Sequence, residues 1–123
     1  MNDQITNTMI SYDEFKKVEV RAGKILSAEK IPDTDKLLKL LVDFNEKDEQ
    51  GNAKPRQIVS GISAYFPEPA VLVGKTCMFV TNLEPRKIRG FESNGMLFAV
   101  SNPDGGFSLL EPNDTIKPGN QAA

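Results

Sequence analysis

Arg86, Lys87 and Arg89 place three cations within four residues, between Pro85 and Gly90. Proline presets the backbone before the run, and glycine permits close approach after it. Such a loop can touch several phosphates at once. Arg56, Gln57 and Ser60 flank the apolar pair Ile58-Val59, and Asn82 follows a second apolar run, Thr76 to Thr81. If the two strands are neighbours, Ser60 and Asn82 end at one groove. Hydroxyl and amide groups there can bond phosphates or base edges, although Ser and Asn also favour turns at such positions. Met96 opens a later apolar run, where it serves either as a flexible platform for a base or as core.

Other chemistries are excluded by what is missing. The 123 residues contain no His and one Cys. Histidine-based triads, histidine general bases, His-ligated metals, cysteine zinc sites and internal disulfides are therefore ruled out. Cys77 lies in an apolar run with nothing to activate it and reads as buried and inert. Asp33-Thr34-Asp35 lacks the later ligands of a calcium loop and reads as a turn. No phosphate-binding loop for ATP is present. No catalytic residue, metal ligand or cofactor is expected.

The net charge of −2 excludes a globally basic binder of nucleic acid but not a locally basic one. Residues 15–42 carry seven bases against four acids, and residues 54–91 carry six against two. The three remaining stretches are acidic. If the basic stretches meet in the fold, one cationic face can hold a polyanion. No long apolar run and no early basic segment suggest a membrane span or a secretory leader. The expected location is the cytoplasm, with no membrane partner.

These residues need positioning elements. Ser11 and Glu14 fit a capping box and predict a short helix over 12–17. From Val18 the apolar period changes to two, and Gly23 inside that strand suggests a bulge or a tight bend. Leu38, Leu40, Val42 and Phe44 form one apolar face of a second strand. A polar hairpin loop over 45–54 leads to a short strand at 57–59. Residues 62–74 hold at most a short helix. Strands follow at Thr76–Thr81, Gly95–Val100 and Phe107–Leu110, with a basic loop over 82–94 and a turn at 102–106. Residues 1–11 are expected to be a flexible segment, and 12–121 one domain. The tally is an all-β protein. Its long bent first strand favours a five-stranded OB-fold barrel with a short N-terminal helix and small peripheral elements.

Several segments resemble the tRNA-binding domain family in order and spacing: FKKVEVRAGKI, PDTDKLLKL, RQIVSGI, NLEPRKIRGFESNGM and IKPGNQ. The resemblance covers roughly residues 13–121. It implies an OB-fold homodimer that binds tRNA by shape and backbone. It places tRNA contacts on Arg56, Ser60, Asn82, Arg86, Lys87, Arg89, Ser93 and Met96, with Lys24, Lys36 and Lys39 added from the basic first half. Glu84 departs from the family, which often has a neutral or basic residue before the Pro-Arg-Lys run. The opening and closing segments look most like the version appended to methionyl-tRNA synthetases. That implies a covalently linked catalytic domain, which this non-catalytic module supplies with tRNA. A free-standing dimeric tRNA-binding protein and a chaperone-like export factor of the same fold are the alternatives. The dimer surface is expected near Phe107–Leu110 and the C-terminal tail.

Overall fold

Every second side chain from Leu38 to Phe44 is buried in the computed structural model, which describes residues 8–123. A period of two places those four on the inner face of one strand. This strand, β2 (Leu38–Asp43), pairs antiparallel with β1 (Val20–Lys30) on one side and β3 (Arg56–Ser60) on the other. The 11 residues of β1 serve two neighbours. Its second half pairs with β2, and its first half with β4 (Thr76–Val80). One strand can belong to both walls of a curled sheet only if it bends. The register shifts between Ile25 and Ser27, so the bulge falls at Leu26, which is exposed.

Of the two roles expected at Gly23, bulge or tight bend, the bulge falls at Leu26 instead. Gly23 stays in register with Cys77, and its role is steric. A Cβ there would lie 2.5 Å from Cε1 of Phe44 and 2.6 Å from Cγ1 of Val42. Glycine leaves the room that the Phe44 ring fills. That ring meets Phe79 edge to face at 5.3 Å, at the centre of the core. Cys77 is fully buried beside them, and burial, followed by the nearby Glu111, pushes its thiol up to about 11.

The five-stranded sheet runs β3-β2-β1-β4-β7, with β7 at Met96–Leu97. It curls into the nearly closed OB-type barrel that the strand pattern predicts. The seam between β3 and residues 92–94 is closed by mixed bonds. The Asn94 backbone N–H donates to the Gln57 carbonyl at 2.8 Å, and Gln57 Nε2 donates to the Glu92 carbonyl at 2.9 Å. The Val59 N–H donates to Ser93 Oγ at 3.0 Å, so a hydroxyl stands in for a strand carbonyl.

The peripheral elements follow local chemistry. Helix α1 (Tyr12–Phe15) carries the full Ser11–Glu14 capping box but stops two residues short of the expected end. Short 3-10 turns at Ser63–Tyr65 and Pro69–Leu72 occupy the 62–74 segment, and Leu72 enters the core. Residues 82–94 are more than a loop: β5 (Arg86–Ile88) and β6 (Phe91–Ser93) form a hairpin. Arg89 and Gly90 turn it with φ of 52° and 85°, the positive pair that a tight two-residue hairpin turn requires. The single strand expected over 95–100 is split. Phe98 separates β7 from β8 (Ala99–Ser101), which pairs with β9 (Phe107–Leu109) across the expected turn. The tail lines the free edge of β1: the Gly119 N–H donates to the Ala22 carbonyl at 2.7 Å and the Ala122 N–H to Val20 at 2.8 Å. Residues 1–7 of the expected flexible segment lie outside the described residues. Among the described residues no helix is long and apolar enough to cross a membrane.

Candidate nucleic-acid interface

The β5–β6 hairpin carries the densest cationic run out from the barrel wall. Arg86, Lys87 and Arg89 are all exposed. Among the described residues no side-chain hydrogen bond or ion pair ties them down. Unpaired, hydrated cations on a short hairpin are free to exchange water and counterions for phosphate.

Two other predicted residues gather around the hairpin tip. Arg89 and Lys36 line one cleft of about 380 Å³, between the tip and the turn that precedes β2. Asp35 shares that cleft and tempers its charge. Lys39 stands on the outer face of β2, its ammonium 5.0 Å from the centre of the Phe91 ring and 3.5 Å from Glu29. A third contact lies at the hairpin base, where Arg86 and Met96 line a shallow crevice of about 70 Å³ beside Glu84. Met96 is 46% exposed, so its thioether can meet a base. Lys24 is exposed as well but lies apart. It pairs with Asp43 at the opposite end of the β1–β2 ladder from the turn that holds Lys36.

Arg56 occupies a different environment from the one its sequence neighbours suggest. Its Nε and Nη2 donate to the two carboxylate oxygens of Glu46, both at 2.8 Å, and Nη1 donates to the Thr81 carbonyl at 2.7 Å. Arg21 Nη2 reaches the same carboxylate at 3.0 Å, and Arg21 Nε pairs with Glu19 at 3.1 Å. The two guanidiniums sit 5.4 and 5.3 Å from the centre of the Phe44 ring. The Arg56 hydrogen bonds, reinforced by Arg21 and opposed by burial, hold the Glu46 carboxyl at about 2. Glu46 in turn raises the pKa of Arg56. Arg56 is thus a tie between strands, with each guanidinium nitrogen already bonded.

Asn82 and Ser93 are likewise engaged within the fold. Asn82 Oδ1 accepts the Glu19 N–H at 2.8 Å, and its Nδ2 donates to the Lys17 carbonyl. Ser93 is buried and bonds Val59 and Gly95. Ser60 is half-buried opposite Leu38, at the far end of β3 from Arg56. Arg56 bonds Thr81, next to Asn82, so Ser60 and Asn82 lie at opposite ends of the barrel wall rather than at one groove. Glu46 is the partner that sequence reading missed. It is one of four acids within residues 43–53, and nothing in the spacing marks it as the partner of Arg56.

Asn82→Ala removes both ties to the segment between α1 and β1. Stability should fall by about 1 kcal/mol, read as a lower urea midpoint. An unchanged midpoint would show that the two bonds are replaced by water at no cost.

Comparisons with known proteins identify the family of the chain. A family model described as "Putative tRNA binding domain" matches residues 20–121. The methionine–tRNA ligase of Methanoregula boonei is 48% identical over 111 residues, and that of Azoarcus sp. (strain BH72) 43% identical over 113. These matches take in 90% and 89% of this chain but only 15% and 16% of each ligase. Among solved structures, a MetRS-related protein from Pyrococcus horikoshii superposes with a TM-score of 0.82 at 37% identity, covering 94% of this chain and 98% of that one. The chaperone CsaA from Bacillus anthracis superposes with a TM-score of 0.76 at 25% identity, covering 94% and 100%. The matched family is a non-catalytic module. With its model spanning the barrel from β1 to the C-terminal tail, the chain belongs to the tRNA-binding domain family.

Proposed function

We propose that this chain binds tRNA through the phosphate backbone, with the β5–β6 hairpin as the principal grip. The carrying observation is the set of three exposed, unpaired cations on that hairpin, in a chain whose family is defined by tRNA binding. Arg86, Lys87 and Arg89 contact phosphates. Lys36 and Lys39 extend the surface across the outer wall, and Met96 offers an apolar contact to a base. Ser60, with a hydroxyl that bonds no described residue, is a polar contact at the same end of the barrel as Lys36. Arg56, Asn82 and Ser93 support the surface from within. Lys24 adds long-range attraction without direct contact. Backbone and shape dominate because the contacts are cationic and the groove holds few fixed base-reading groups.

The functional unit spans 12–121 and acts in the cytoplasm as a homodimer, with the β8–β9 hairpin and the tail at the dimer surface. It delivers tRNA to a covalently linked methionyl-tRNA synthetase catalytic domain by raising local concentration. Identities of 43% and 48% to two such ligases support this reading, and the likeness to the MetRS-related protein over 98% of that chain supports a free-standing one. A chaperone-like reading has support of its own. The likeness to CsaA is accompanied by exposed apolar side chains at Val71, Val73 and Val100.

Fluorescence anisotropy with tRNA at two salt concentrations, with duplex DNA as competitor, tests the choice. Salt-sensitive binding that duplex DNA does not displace is the expected result. Absence of binding at low salt, together with salt-insensitive binding of an unfolded peptide, would put the chaperone reading first.

A further inference from the structure

A cavity of about 430 Å³ opens between the β2–β3 loop and the β5–β6 hairpin, apart from the cationic tip. Its size falls in the range of small-ligand pockets, roughly 300–1,000 Å³. Lys47 and Lys54 form one wall, and Gln57 and Asn94 the other. The loop is pinned in shape. Lys47 bridges to Ala53, the Lys54 N–H donates to the Glu46 carbonyl at 2.9 Å, and the Asp48 carboxylate accepts the N–H groups of Gln50 and Asn52 at 2.9 Å each. Both lysines are exposed, and neither ammonium has an acidic partner among the described residues.

The charges beneath cancel. Arg21 and Arg56 are matched by Glu19 and Glu46, whose carboxylate faces those guanidiniums. The charges left at the mouth are Lys47 and Lys54 against Glu92, with Asp48 and Glu49 on the same loop as Lys47. On the opposite wall, Gln57 Nε2 gives one N–H to the Glu92 carbonyl, which leaves its other N–H as a donor and Oε1 as an acceptor. The Asn94 side-chain amide bonds nothing among the described residues. Gln57 also lines the outer groove that holds Lys39 and Leu41. The cavity and the outer face of β2 therefore share one side chain as a common wall.

We infer that an RNA strand held at the hairpin continues over Gln57 into this cavity and seats one nucleotide there. Lys47 and Lys54 hold its phosphate. Gln57 Oε1 and the Asn94 amide bond its ribose hydroxyl or base edge. The inference rests on the tRNA-binding reading above and adds a second phosphate site remote from Arg86–Arg89. Arg56, bound within the fold, lines the same cavity as the two lysines and takes no phosphate itself.

The test is the double variant Lys47→Ala with Lys54→Ala, in two assays. By anisotropy, tRNA affinity at low salt should fall about tenfold, with the salt slope shallower by about 1, for the one phosphate released. The urea midpoint should not move, because both side chains are exposed. By NMR, the Gln57 and Asn94 side-chain amide signals of the unsubstituted protein should shift on titration with a single-stranded RNA tetranucleotide and stay still in the variant. Unchanged affinity and slope with unmoved amides would overturn the cavity assignment while leaving tRNA binding intact. Amide shifts in a protein that does not bind tRNA would uphold the cavity and overturn the tRNA reading.

Discussion

Glu46→Ala should lower stability by about 3 kcal/mol, read from urea unfolding at neutral pH. The lower end of the usual loss for breaking a buried ion pair applies because the carboxylate retains some contact with water. The substitution leaves the Arg21 and Arg56 guanidiniums close together against Phe44 with their shared acceptor gone. Arg21 keeps Glu19 and Arg56 keeps the Thr81 carbonyl, which limits the damage. The pH dependence gives an independent reading. The Glu46 carboxyl is held at about 2 in the fold, against 4.5 for a free glutamate. A depressed carboxyl contributes stability that is complete above pH 4.5 and disappears as pH falls through about 2. The full linkage is roughly 3 kcal/mol, and solvent screening at a carboxylate open on one side reduces it to about 2. Urea midpoints between pH 6 and pH 2 should therefore fall less steeply in Glu46→Ala than in the unsubstituted protein. Parallel acid limbs would show that Glu46 is not the group that links them.

The same network marks the boundary of what sequence reveals. The alternation from Leu38 to Phe44 is a local signal, and the buried face of β2 followed from it directly. The Ser11–Glu14 capping box is equally local. Arg56 and Glu46 face each other because β2 and β3 are paired and because the loop between them returns at the bridge of Lys47 and Ala53. No periodicity encodes that return. Asn82 and Ser93 are engaged in the same way, by backbone groups distant in sequence. Polar residues at strand ends look alike in sequence whether they face a ligand or another strand.

The β5–β6 hairpin was hidden for a different reason. Its strands are three residues each, below the length at which alternation becomes visible, and basic residues are poor strand formers. Its turn is Arg89-Gly90 rather than the Asn-Gly or Asp-Gly that signals a tight hairpin. The cations themselves were legible, since an exposed cluster needs no partner to be recognised. At Gly23 the signal is real, but the bulge it suggests lies three residues on, at Leu26. A glycine in a strand marks either a bulge or the close approach of another group, and the approach of Phe44 decides it.

That contrast between free and engaged cations sets the largest expected functional effect. Arg86→Ala with Arg89→Ala should weaken tRNA binding by about 1–3 kcal/mol and make the salt slope shallower by about 2, measured by anisotropy. Neither arginine is paired within the fold, so the urea midpoint should stay where it is, and the loss of affinity is a loss of contact. Arg56→Ala behaves in the opposite sense. It removes four bonds from a part-buried guanidinium and leaves Glu46 with Arg21 alone, so the fold weakens first. Affinity per folded molecule should then change less than in the hairpin pair, because Arg56 reaches RNA only through the shape of the cavity floor. A greater loss in Arg56→Ala at equal folded fraction would move the principal phosphate contact from the hairpin to the mouth of the barrel.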